Sequence, residues 1–204
     1  CFNLKLYAEP GKYIIMAFKL IDKGRVSDRE GLLIQINYYI ASEKTVAKSF
    51  EAFNELLEIY PESRDNDIRG ARNIIGMKYS GLEEWDKAIE QFEWLIQNRY
   101  EGYHPYVNIT GPYMAKGLYD KAREVIEYYH KNFEELPITR WELALNYLYQ
   151  GKYDLAIAEA DKSLSLDPAY YRNFFTRGDI YLCQGNLIEA EKEYQKLLAF
   201  DDRS

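Results

Sequence analysis

A spacing of 34 residues is the feature that most limits what this chain can fold into. Gly117-Leu118-Tyr119 with Ala122, Gly151-Lys152-Tyr153 with Ala156, and Gly185-Asn186-Leu187 with Ala190 recur at that interval, and Tyr113, Tyr147 and Tyr181 keep it too. Ala88 lies one interval further upstream, with Tyr79 and Trp85 in the matching aromatic positions and the glycine displaced to Gly81. A period of this length marks a supersecondary unit that cannot bury its apolar face alone and must stack on its neighbours.

The stretch from Pro137 to Tyr170 shows what one unit contains. Leu143, Ala144 and Tyr147 precede Gly151, Ala156 follows it, and Leu164, Leu166 and Pro168 close the unit. Apolar residues at steps of three and four mark two amphipathic helices. Gly151 ends the first, and Asp167-Pro168 ends the second, because proline lacks an amide hydrogen and restricts the residue before it. No strand pattern competes with this reading.

The period and its aromatic, glycine, alanine and proline positions resemble the tetratricopeptide repeat (TPR). The resemblance runs through nearly the whole chain. It implies an all-α fold, a right-handed α-solenoid of antiparallel helix pairs. In that pattern small residues stand where paired helices touch most closely: Gly76, Thr110, Ala144 and Gly178 on first helices, and Ala88, Ala122, Ala156 and Ala190 on second helices. Larger side chains there would hold the helices apart, so these positions are a packing requirement.

The register divides residues 1–204 into a single array: a degenerate half repeat at 1–29, a first repeat with an insertion at 30–68, and repeats at 69–102, 103–136, 137–170 and 171–204. The half repeat is expected to bury Ile14, Met16, Ala17, Leu20 and Ile21, with Ser27 or Asp28 capping the helix that follows. In the first repeat Asn37 and Ser49 fall in the two small positions, and Ser42-Glu43-Lys44 makes the turn without glycine. The insertion Glu62 to Ile68 is polar, and Asp65 or Asp67 can cap the next helix. At the far end Leu197, Leu198 and Phe200 form an apolar face expected to lack its cover. The start at Cys1 and the string from Val26 to Pro61 suggest a region of a larger bacterial multidomain protein.

Charge and motifs narrow the function. The net charge of −7 is spread over both halves, with no basic stripe to neutralise phosphates, so neither nucleic acid nor an anionic membrane is an expected partner. The longest apolar run, Tyr13 to Phe18, is far short of the about 20 residues that span a bilayer. Cys1 and Cys183 are poor disulfide partners, which favours a cytoplasmic location; a periplasmic lipoprotein would also begin with cysteine, but Phe2-Asn3 is not the small pair expected to follow. There is no phosphate loop, HExxH, CxxC or GxSxG. His104 and His130 do not have a metal-ligand spacing, and Glu83-Glu84 and Glu134-Glu135 read as solvated helix ends. Asn108-Ile109-Thr110 matches a glycosylation acceptor but lies on an expected helix. No enzyme activity, metal or cofactor is expected.

What remains is the inner surface that the resemblance implies, lined by recurring first-helix positions. Ile34, Tyr38, Asn73, Met77, His104, Met114, Trp141, Leu145, Tyr149, Arg172, Phe175 and Asp179 are the candidate residues for holding a peptide or helix of a partner protein, with Val107 and Leu148 divided between that surface and helix packing. Trp141, Tyr38, Met77 and Phe175 are favoured for contact, since aromatics and adaptable methionine suit binding hot spots. Some TPR proteins clamp a chaperone's terminal carboxylate with lysine and asparagine. This chain has Ile34 and Tyr38 where such residues are needed, and only Asn108 matches. Its lining suits an amphipathic helix or an apolar extended segment. The rival role is self-association as a homodimer.

Overall fold

The computed structural model describes residues 10–21, 23–61, 65–100 and 102–201, without the side chains of 10–12 and 199–201. Every regular element among them is helical: α1 (Pro10–Ile21), α2 (Asp28–Tyr39), α3 (Val46–Ile59), α4 (Asn66–Gly81), α5 (Trp85–Gln97), α6 (His104–Asn108), α7 (Thr110–Ala115), α8 (Tyr119–Asn132), α9 (Pro137–Tyr149), α10 (Tyr153–Leu166), α11 (Arg172–Cys183) and α12 (Leu187–Asp201). They form two compact units, residues 1–100 and 101–204. In the first, α2 pairs with α3 and α4 with α5; in the second, α7 pairs with α8, α9 with α10 and α11 with α12.

Four hairpin turns share one construction. Gly117, Gly151 and Gly185 take positive φ of 72°, 71° and 75°, a conformation that glycine adopts without a Cβ penalty. The amide of the next residue then donates to the carbonyl of the recurring tyrosine: Leu118 to Tyr113 at 2.8 Å, Lys152 to Tyr147 at 2.9 Å and Asn186 to Tyr181 at 2.8 Å. Between α4 and α5 the same bond runs from Glu84 to Tyr79 at 2.9 Å, and the left-handed residue is Glu83, with φ of 60°. The displaced Gly81 is therefore not the counterpart of the turn glycines. Glu83 is, and it carries the strain.

The small positions account for the close helix pairing. Ala88, Ala122, Ala144, Ala156 and Ala190 are all buried. A methyl group on Gly76 would stand 2.8 Å from Phe92 Cε1, and one on Gly178 would run into the Tyr194 ring. Ser49 is also buried and donates to the Ile36 carbonyl at 3.0 Å, which satisfies its hydroxyl across the α2–α3 contact. Asn37 departs from the expectation: it is exposed and donates back to Leu33 of its own helix. Residues 40–45 join α2 to α3 where residues 82–84 suffice between α4 and α5, so the first-helix register is not carried through that longer turn.

Other local expectations divide. Ser27 caps α2 in a reciprocal arrangement with Glu30, and Asp65 occupies the N-cap position of α4, which begins within the insertion. In α1, Met16 and Leu20 are exposed rather than buried; Phe18 faces α2 instead, stacked on Tyr38 with 4.2 Å between ring centres. The first helix of the 103–136 segment is interrupted at Ile109, between α6 and α7. Pro112 has no amide hydrogen to offer the Asn108 carbonyl and crowds it, which explains the break. Cys1 lies outside the described residues, as does the Phe200 side chain; Cys183 is exposed with a free thiol.

Candidate functional site

The clearest concave surface of the second unit lies along α9 and α11, which pack side by side. Trp141, Leu145 and Tyr149 stand at four-residue steps on α9, and Arg172, Phe175, Thr176 and Asp179 occupy one face of α11. With Tyr171 and Leu197 these side chains enclose a cleft of about 590 Å³. Its walls are mainly apolar, and three of its aromatics remain open to solvent, Tyr149 at 62%, Phe175 at 56% and Tyr171 at 54%.

Trp141 is held from several sides. Its indole Nε1 donates to Thr176 Oγ1 at 2.8 Å, its ring meets Tyr170 edge-on at 6.4 Å, and the Arg172 guanidinium lies over it at 4.9 Å from the ring centre. The buried hydroxyl of Thr176 therefore fixes the indole plane from α11, while the guanidinium stacks on its face. Asp179 accepts a 2.6 Å hydrogen bond from the Tyr194 hydroxyl of α12.

Behind this surface sits Glu142, only 8% exposed. Thr110 Oγ1 lies 2.5 Å from its carboxyl and 2.7 Å from the Val107 carbonyl. A hydroxyl has one proton and cannot donate to both oxygens. With Glu142 ionised, Thr110 donates to the carboxylate; with Glu142 protonated, the acid can donate to Thr110 and Thr110 to Val107. Burial pushes the Glu142 carboxyl up to about 7, against the opposing pulls of the hydrogen bond that Thr110 donates to the ionised form and of the Arg172 charge.

The structure brings six of the twelve candidate residues to this cleft: Trp141, Leu145, Tyr149, Arg172, Phe175 and Asp179. Met114 does not offer the surface expected of it. It is 8% exposed and belongs to the core of the second unit, as does Val107, which packs with Ile126 and Leu143. His104 is exposed and stacks on Tyr103 at 4.2 Å. The other four lie in the first unit. Ile34 and Tyr38 are half-buried, Tyr38 beneath Phe18, and Asn73 is half-buried near Met77, which is exposed. Sequence reasoning missed Tyr171 and Thr176 as lining residues and assigned Leu197 to an uncovered end.

Several other polar groups singled out in the sequence have structural partners. His130 is half-buried with Nε2 2.7 Å from Thr139 Oγ1, and burial, helped by the charge of Arg140, holds its pKa below the usual histidine value. Glu84 pairs with Lys87, and Glu135 with Arg140 at 2.5 Å. Thr110, the hydroxyl residue of the glycosylation-like triplet, is buried. No group of three or more potential metal ligands occurs among the described residues, and no described helix is long and apolar enough to cross a membrane.

The helix pairs, their common turns and the cleft between successive first helices define an all-α protein of repeated helical hairpins. Residues 142–204 match the family model of the tetratricopeptide repeat, and this part of the chain carries such repeats. A TPR repeat-containing protein of Methanocaldococcus jannaschii is 29% identical over 104 residues, which cover 50% of this chain and 18% of that protein. The solved structure of PilW, a type IV pilus biogenesis factor, superposes with a TM-score of 0.72 at 20% identity, covering 98% of this chain and 88% of that one. A tetratricopeptide repeat protein from Parabacteroides merdae does so with a TM-score of 0.71 at 18% identity, covering 95% and 73%. The fold is that of the TPR-type α-solenoids.

Proposed function

We propose that this chain is a non-catalytic protein-interaction scaffold whose cleft along α9 and α11 holds a peptide or helix of a partner protein. The observation that carries this reading is the cleft itself: an apolar, aromatic concavity with a Trp141 fixed in place and with Tyr149 and Phe175 left open. Such a surface gives a partner's apolar side chains somewhere to leave water, around a rigid aromatic anchor. The role goes with a half repeat at 1–29 and five repeats in one array, in a cytoplasmic protein. The test is affinity capture from the source organism with immobilised wild-type chain and with Trp141→Ala. A partner held by the first and lost from the second, with both chains equally folded, supports the reading; equal retention refutes it.

Self-association is the second reading, favoured by Leu187, Ile188 and Leu198 of α12, which are all about two-thirds exposed. Light scattering over a concentration series separates the two. A dimer of the wild-type chain that Leu198→Glu dissociates would support it.

A further inference from the structure

Arg172 differs from the other described arginines of the second unit. Arg123 pairs with Asp120 and Glu127, Arg140 with Glu135 and Glu159, and Arg177 with Asp161 and Glu193. Among the described residues Arg172 has no carboxylate within ion-pair distance; its guanidinium lies on the Trp141 ring at the cleft wall and is exposed. It is also the first residue of α11, the positive end of the helix dipole, where a cation is slightly unfavourable for folding. Its placement costs the fold a little and leaves a flat donor array facing whatever enters the cleft.

Asp179 supplies the opposite charge. It lies seven residues along the same helix, about 10 Å away at 1.5 Å per residue, with one carboxylate oxygen bound to Tyr194. Between the two charges stand Phe175 and, across the cleft, Leu145. The cleft thus presents a positive end, an apolar middle and a negative end over two helical turns.

Resting on the proposed function, we infer that the occupant is an amphipathic helix of a partner, with an acidic side chain at the Arg172 end and a basic side chain about seven residues away at the Asp179 end. Two turns of helix match the separation of the charges, and apolar residues between them face Phe175 and Leu145. Charge order sets the direction in which the helix lies. One guanidinium alone suits a side-chain carboxylate, flanked by apolar residues, better than a chain terminus that needs several donors.

The test uses a displayed library of helical 14-residue peptides selected on the wild-type chain, on Trp141→Ala and on the double variant Arg172→Glu/Asp179→Lys, each checked by circular dichroism. Wild-type selection is expected to enrich peptides with acid and base seven residues apart. The double variant should enrich the reversed order and bind the original peptides about tenfold less tightly. Arg172→Leu, which keeps Asp179 and its bond to Tyr194, should lose the preference for an acid alone. Enrichment that depends on Trp141 but has no charge order, or that selects a peptide C-terminus at Arg172, overturns this inference and leaves the groove reading standing. Enrichment that is indifferent to Trp141, or none at all, overturns both.

Discussion

Replacing Glu142 with glutamine should remove a pH dependence of stability that the wild-type chain carries. The unfolded carboxyl titrates near 4.5 and the folded one near 7, so the folded state binds the proton more tightly. Between those values the folded chain holds more protons than the unfolded chain, and stability falls as pH rises. The contribution is complete below pH 4.5 and lost as pH climbs through 7. A shift of about 2.5 units at 1.36 kcal/mol per unit corresponds to roughly 3 kcal/mol at its limit. Glutamine keeps the shape and can donate its amide to Thr110, as the protonated acid does. Urea melts of both chains at pH 4.5, 6, 7 and 8.5 provide the assay, because other titrating groups cancel in the difference. Glu142→Gln should match wild type at the lowest pH and exceed it by a growing margin, up to about 3 kcal/mol, at the highest. A difference that stays constant with pH would refute the protonated Glu142–Thr110–Val107 chain, and so would one that grows toward acid.

Ala156→Leu should destabilise the second unit by about 1 to 3 kcal/mol, because Ala156 is fully buried between α9 and α10 and extra atoms there overpack the contact; thermal melts check it. Glu83→Gly should stabilise the first unit by up to about 1 kcal/mol, since only glycine takes the left-handed turn without strain, and a lower melting temperature would contradict that. Once a partner is identified, Trp141→Ala should weaken binding by about 2 kcal/mol or more in titration calorimetry. Raising salt from 50 to 500 mM should weaken the same complex only modestly, given an apolar cleft with one charge of each sign; a steep dependence would point to another surface.

The 34-residue spacing was enough to determine the helical class, the pairing of helices and the kind of turn that joins them. Those features are local and periodic: a tyrosine carbonyl, a left-handed residue and a small contact residue recur because every unit repeats the same geometry. The spacing also placed Trp141, Leu145, Tyr149, Arg172, Phe175 and Asp179 on compatible faces of α9 and α11. It could not say which equivalent positions stay open. Val107 sits one period before Trp141 and Met114 one period before Leu148, yet both are covered, because exposure depends on what neighbouring helices bring and not on the residue's own angle around its helix. The break at Ile109 was present in the sequence as the missing amide donor of Pro112, yet the period alone overrode it. Tertiary structure alone decided that Thr110 would meet Glu142, 32 residues away, and that Leu197 would turn toward the cleft. Both depend on distances between side chains of different hairpins, which a repeat register constrains only to within a helical face.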